Sequence, residues 1–324
     1  MDQQVSPIGG PEFSAEVREV LQWYPLEHPQ ITFLRQNENQ VFLIQEQEHR
    51  FVLRLGKPTP GFSLRPLLGQ YAAEEYLNGE LLLLHVLREQ AGFPVQTPVR
   101  NKQGELFTIL SNGTLASMLT WIEGTPLSSL PHTSQRLELA GQAAAQIHTA
   151  LKGCTIPARY RYDADFLFSA GRELNWAVQQ GNLYQKHAEL LQKVIEQLTQ
   201  IIPEEGNLLV HADLTPSNLL DCGFKVVPID FSLAGYSRPE MDLASMFCQF
   251  PDSYEQQALL SGYRSAGGPK PDPELLRAFC VLQVLLLLVC QHAKYRKSGI
   301  LPGKGADWCT RVFRPFLEGG KLLL

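Results

Sequence analysis

Between residues 31 and 55 one pattern recurs three times: ITFLRQ, QVFLIQEQ and HRFVLRL, runs of β-branched and aromatic residues separated by polar turn residues. Such runs predict three antiparallel strands, with QEQEHR as the hairpin tip joining the second to the third. Ahead of them, Phe13, Val17, Val20 and Leu21 share one face of an amphipathic helix over 13–23. A loop with Gly56, Pro58, Pro60 and Gly61 follows. Leucines at 77, 81, 84 and 87 then predict a long helix over 70–91, which AGFPVQTPV ends with Gly and Pro. GELFTIL and ASMLTWI predict two more strands, making a five-stranded sheet with one long helix after its third strand. Gly124 and Pro126 mark a passage to helical spacing over 134–151, 163–180 and 184–202. A hairpin near 208–231 follows, and beyond it the pattern is mostly helical, with SAGGPKPDP at 265–273 as a loop between helices.

Composition narrows the class. The 324 residues suffice for one large domain or two small ones, and 44% hydrophobic with 19% charged residues describes an ordinary globular protein. A net charge of −5 argues against a phosphate-tracking nucleic-acid surface, while permitting cationic substrates. The six cysteines form no C-x-x-C pair and no metal-like cluster with histidine, which predicts reduced thiols in a cytoplasmic protein. The N-terminus lacks the basic and apolar regions of a signal peptide. AFCVLQVLLLLVC, residues 278–290, is 13 residues long, short of the roughly 18 needed to span a bilayer. It predicts a buried core helix, so no membrane partner is expected.

The densest chemistry lies in LLVHADLTPSNLLDCGFKVVPIDF, residues 208–231. It sets an acid, Asp213, an amide five residues later, Asn218, and a second acid twelve residues further, Asp230, each framed by apolar residues. A catalytic loop followed by a short hairpin would deliver all three side chains to one place. Phosphoryl transfer needs that set: one carboxylate orients the attacking hydroxyl, while an amide oxygen and a second carboxylate hold magnesium against nucleotide phosphates.

The order His211, Asp213, Asn218, then Asp230 and Phe231 matches the kinase signature H-R-D-x-x-x-x-N followed by D-F-G. Ala212 replaces its Arg, Ser232 its Gly, and position 215 is Thr where Ser/Thr protein kinases usually carry Lys. With I-D-F after the hairpin, this resembles the aminoglycoside phosphotransferase family, which includes choline kinases, type II homoserine kinases and fructosamine kinases. The resemblance implies an α+β, two-lobed protein-kinase-like fold, with 1–123 as the nucleotide-binding N-lobe and 124–324 as the catalytic, substrate-binding C-lobe. It implies ATP and Mg2+ as cofactors and a small-molecule alcohol as acceptor, homoserine-, choline- or amino-sugar-like. Control by a phosphorylated activation loop is not expected without the Arg. Asp213 would be the base, Asn218 and Asp230 the metal ligands, and His211 a packed anchor of the loop. Asp242 would be a buried acid accepting hydrogen bonds from that loop, and His148 a core residue behind it.

The resemblance also implies nucleotide contacts. Arg54, ending the third strand, would pair with phosphates, and Glu80 on the long helix would hold it, with Glu74 and Glu75 as alternatives. Asn39 fits the nucleotide loop, which lacks the glycines of G-x-G-x-x-G; no Walker A motif occurs. Thr120, Trp121 and Ile122 would read adenine through main-chain atoms. Asp163, Asp165, Glu173 and Trp176 could line an acceptor pocket suited to an amine, by charge and cation–π contact. The alternative from another class is a nucleotide- or metabolite-binding protein of this fold without turnover. The presence of Asp213, Asn218 and Asp230 together argues for activity, while the Gly-poor loop leans the other way.

Overall fold

A computed structural model describes residues 14–69, 71–202, 206–295 and 308–324; Phe13, expected on the first helix, lies outside them. The chain divides into two compact units. The first comprises residues 1–60 and 96–122, the second 61–95 and 123–324.

The first unit is a sheet with one helix on its face. Strands β1 (Gln30–Gln36), β2 (Gln40–Glu46), β3 (His49–Leu55), β4 (Thr108–Ile109) and β5 (Leu115–Thr120) form an antiparallel sheet in the order β1-β2-β3-β5-β4. Register aligns Phe42 with Leu53 and Met118 across three strands. These residues, with Ile44, Leu55 and Ala116, bury one face against Val17, Val20 and Tyr24 from helix α1 (Ala15–Gln22) and the turn after it. The strand period of two places Arg54 and its neighbour Ser117 on the opposite face. Strand β4 is far shorter than GELFTIL predicted. Asn101 closes a turn there: its Oδ1 accepts from the N–H groups of Gln103 and Glu105, and its N–H donates to Glu105 O, diverting backbone that a longer strand would have used.

In the second unit, helix α2 (Ala73–Gln90) buries Leu81, Leu84 and Leu87 as its spacing predicted. Gly79 lets its backbone approach Pro157 closely; a Cβ at that position would sit 2.5 Å from Pro157 O. Tyr76 also stacks on Tyr160, with ring centroids 4.8 Å apart. Short strand β6 (Thr125–Pro126) joins β9 (Leu219–Asp221) and β10 (Val226–Pro228) in one small sheet. Strand β7 (Tyr160–Arg161) joins β8 (Leu208–Val210) and β11 (Gly235–Ser237) in another.

Around these sheets lie α3 (Ser134–Ala150), α4 (Ala164–Gln179), α5 (Gln185–Ile201), α6 (Glu240–Phe247), α7 (Ser253–Ser265) and α8 (Pro273–Gln291). Helices α3 and α7 meet backbone to backbone: a Cβ at Gly141 would run into Leu259 O, and one at Gly262 into Glu138 O. Asp272 caps α8, accepting from the N–H groups of Glu274 and Leu275. By length and composition α8 could cross a membrane, yet most of it is buried within this unit.

Candidate active site

The candidate catalytic loop runs from the end of β8 to the start of β9. Its single-turn helix, Pro216–Asn218, begins with a proline whose fixed φ suits the first helical position. That turn brings Asn218 back onto Asp213. Asn218 Nδ2 donates to Asp213 Oδ2 at 2.8 Å and to Asp213 O at 3.1 Å. Two acceptors on the nitrogen fix the amide's orientation, so Oδ1 is its outward atom, and it accepts no hydrogen bond among the described residues. The β9–β10 hairpin returns the chain to the loop, with Ile229 N–H bonded to Asn218 O at 2.9 Å and Asp230 next in sequence.

Asp242, the third residue of α6, anchors the loop from below and is fully buried. Its Oδ2 accepts from the His211 N–H at 3.0 Å and from His148 Nε2 at 2.9 Å, and its Oδ1 from the Ala212 N–H at 2.6 Å. Burial alone would push this carboxyl up, but the His148 hydrogen bond and charge, with help from His211, hold it below the ordinary value. One turn along α6, Ser245 Oγ accepts from the Leu214 N–H at 2.9 Å. His211 uses both ring nitrogens: Nε2 donates to Ile229 O at 3.1 Å, and Nδ1 accepts from the Asp213 N–H at 3.3 Å. Burial lowers its pKa, so the ring stays neutral and acts as a fixed strut.

Two residues here have left-handed backbone without being glycine: Ala212, with φ of 65°, and Asp230, with φ of 67°. Each such residue costs about 1–2 kcal/mol, and such strain persists where surrounding contacts over-determine it. At Ala212 those contacts are Asp242 on its N–H and Gln283 Nε2 on its carbonyl, at 3.0 Å.

Three positioning residues carried no motif in the sequence. Gln283 is the polar break in the apolar run of α8. Arg159 is almost fully buried and donates to main-chain carbonyls: Tyr76 O at 2.8 Å, Ser232 O at 2.7 Å, Phe231 O at 3.2 Å and Ala234 O at 2.8 Å. Tyr162 donates to Leu233 O at 2.5 Å. Arg159 and Tyr162 together fasten the segment after Asp230. An isolated Arg at the edge of a short strand has no sequence signal that separates it from a solvated one.

The remaining candidates are distributed over both units. In the first, Arg54 is buried, with Nε and Nη2 each 3.4 Å from Ser117 Oγ. Asn39 closes the β1–β2 turn: its carbonyl accepts from the Asn37 N–H at 3.1 Å, and its Nδ2 meets Glu38 Oε1 at 3.3 Å. The N–H groups of Thr120 and Trp121 are taken within the unit, by Thr97 O at 2.9 Å and Arg50 O at 3.1 Å. Ile122, past the strand end, makes no hydrogen bond among the described residues, while Trp121 Nε1 is buried without one. In the second unit Glu80 is the buried acid of α2, whereas Glu75 Oε2 caps that helix at the Ala72 N–H.

Three members of the amine-binding set expected on α4 are engaged by the chain itself, while Asp165 is exposed. Asp163 caps the helix through the Asp165 and Phe166 N–H groups and pairs with Arg161 at 3.0 Å. Glu173 is paired through Oε2 with Arg65 at 2.6 Å and through Oε1 with His292 at 2.8 Å. The Arg65 guanidinium lies 4.0 Å from the Trp176 ring centroid, filling the cation–π seat foreseen for a substrate amine.

Asn218 Oδ1 and the Asp230 carboxylate are hard oxygen donors of the kind magnesium prefers. Among the described residues no group of three or more His, Cys, Asp or Glu could form a metal cage of its own. A donor set this small fits an ion that takes its other ligands from water and phosphate.

Comparison with known proteins bears on the family and the fold. The chain is 27% identical over 318 residues to an uncharacterized protein of Deinococcus radiodurans, covering 93% of this chain and 85% of that one. Its structure is similar to that of a microcompartment-associated aminopropanol kinase, with a TM-score of 0.74 at 20% identity over 94% of this chain and 98% of the other. It is also similar to an amicoumacin kinase in complex with AMP-PNP, Ca2+ and Ami, with a TM-score of 0.72 at 17% identity over 95% and 94%. The fold is therefore the α+β, kinase-like fold of small-molecule phosphotransferases. The family model for the APH phosphotransferases matches residues 30–280, most of the sequence, and the chain belongs to this phosphotransferase enzyme family.

Proposed function

We propose that the protein transfers the γ-phosphoryl group of ATP to a hydroxyl of a small metabolite, with Asp213 as base and Asn218 and Asp230 as magnesium ligands. The observation that most favours this reading is the Asn218–Asp213 hydrogen bond at 2.8 Å. One contact orients the carboxylate and fixes which end of the amide is offered to a metal. The similar folds add support: one is an aminopropanol kinase, and another is held with a nucleotide analogue and a divalent ion.

Magnesium-bound ATP would supply the phosphoryl group and neutralise charge on it. Asp213 accepts the hydrogen bond of the acceptor hydroxyl and takes its proton late, as that oxygen bonds to phosphorus and the bond from phosphorus to the β-bridging oxygen breaks. Asn218 and His211 hold Asp213 in place, so little reorganisation accompanies transfer. Residues 1–123 are assigned to the nucleotide, with Arg54 on phosphate, Asn39 in the nucleotide loop and Ile122 favoured over Thr120 and Trp121 for adenine. Residues 124–324 are assigned to catalysis and acceptor binding. Glu80 is assigned to supporting nucleotide binding. The acceptor is a small alcohol, homoserine-, choline- or amino-sugar-like.

A coupled ADP-release assay with a panel of small alcohols tests the reading. Asp213→Asn, nearly isosteric, is expected to keep the fold and nucleotide affinity and lower kcat by about 10²–10⁴-fold. An Asp213→Asn protein as active as the parent would refute Asp213 as base. Nucleotide binding with no turnover on any alcohol would support a sensor instead.

A further inference from the structure

A cavity of about 80 Å³ opens beside Asp213 within the second unit. Phe62, Leu64, Leu233, Leu286 and Leu287 form an apolar wall, and the polar side chains at its edge include Gln283. The segment carrying Phe62 and Leu64 is tied to α8 by the Ser63 N–H, which donates to Cys290 O at 2.8 Å. Among the described residues lining the cavity, Asp213 is the sole carboxylate. The acids predicted to receive an amine are absent from it. Glu173 is saturated by Arg65 and His292, and Asp163 by its helix cap and Arg161.

An ammonium entering this space would find one anion, the base itself. Pairing there would occupy the oxygen that the reacting hydroxyl needs, and elsewhere the cation would have only the neutral amides Gln283 and Gln291 beside the apolar wall, with no second anion to offset its desolvation. Gln283 Nε2 is committed to Ala212 O at 3.0 Å and Met241 O at 3.3 Å, which leaves its Oε1 as an acceptor for a second donor on the ligand. At about 10–15 Å³ for each water-sized group, the volume holds roughly five to eight of them.

Resting on the phosphotransferase reading above, we propose that this cavity is the acceptor subsite and that it selects a small uncharged alcohol or diol with an apolar body over its cationic amino counterpart. Leu286 and Leu287 on α8 are the specificity-determining residues.

The test uses the full chain with magnesium and ATP and matched acceptor pairs: 1,2-butanediol against 2-amino-1-butanol, and 1,2-propanediol against 1-amino-2-propanol. The uncharged member of each pair is expected to have the higher kcat/KM by at least about 10-fold. Leu287 is 42% exposed, so Leu287→Asp should fold and should shrink or invert that ratio. Saturation-transfer NMR of 1,2-butanediol without nucleotide should detect binding that Leu287→Asp weakens. Preference of the parent for the amines overturns the proposal and leaves the kinase reading standing. A preference for the diols that neither Leu287→Asp nor Leu286→Ala changes also overturns it, by placing the acceptor elsewhere. No transfer to any alcohol by a protein that binds Mg-ATP removes both readings.

Discussion

Asp242 and Glu173 are both buried carboxylates of the second unit, 0% and 6% exposed, and each is bonded to a histidine. The rest of their partners differ. Asp242 accepts from two successive backbone N–H groups of the catalytic loop, so its charge shapes the chain path at His211 and Ala212. Glu173 is shared between Arg65 and His292, two side chains that bring segments together without touching the loop. A carboxylate on backbone amides imposes a conformation, while one on side chains imposes a contact. The first kind controls geometry at the site. The second fastens the scaffold and withdraws an acid from substrate recognition.

The largest effect should follow loss of Asp242. Asp242→Ala would leave the His211 and Ala212 N–H groups and His148 without their acceptor in a dry environment. A cost of about 3–5 kcal/mol is expected, with activity falling further than stability because the loop at Asp213 is freed. Urea denaturation followed by intrinsic fluorescence measures the first, and ADP release the second. The pH dependence has a defined sign. The Asp242 pKa is depressed when folded, so its contribution is fully present above the unfolded value of 3.8 and is lost as pH falls through the lower folded value. The buried His211 is also depressed, so its neutral form favours folding above 6.5 and its protonation opposes folding as pH drops below that. Parent and Asp242→Ala stabilities should therefore differ most at neutral pH and converge in acid. A gap that stays constant down to pH 3 would show that Asp242 acts by packing rather than charge.

Glu173→Gln is the sharper contrast. It should cost about 1–3 kcal/mol by weakening the bonds to Arg65 and His292, and leave acceptor KM within twofold for charged and uncharged alcohols alike. A selective rise in KM for amines would break the comparison, because Glu173 would then face substrate as the sequence suggested.

The sequence made Asp242 legible and Glu173 misleading for a physical reason. Asp242 follows the catalytic hairpin at short separation, and H-A-D-L, N and I-D-F around it form a pattern that few other structures need. The sheet was legible too, since period-two alternation at Phe42, Ile44, Leu53 and Leu55 mirrors the burial. Glu173 lies 108 residues from Arg65 and 119 from His292, and nothing local distinguishes a pairing at that distance from a solvent-facing acid. Arg159 carries no local signal for the same reason, since it donates to main-chain carbonyls, which exist at every position. Gln283 was visible as a polar break in an apolar run, but its target, Ala212 O, was set by tertiary packing.

The smallest effect probes how tightly Asp242 holds the backbone. Ala212 pays a left-handed φ of 65° that glycine adopts without a Cβ clash. If the strain is borne only because Asp242 and Gln283 grip the N–H and carbonyl, Ala212→Gly relieves it in the folded state while loosening the unfolded chain. These opposing terms predict a net change within about 1 kcal/mol, with stabilisation if relief of the Cβ clash outweighs the entropy of the freer chain. In the Asp242→Asn background, where one grip is weakened, the same glycine should help more, because the clash is then less well opposed. A double-mutant cycle by urea denaturation reads that coupling. Strict additivity would mean that the left-handed turn is set by the loop's own hairpin, with Asp242 merely accommodating it.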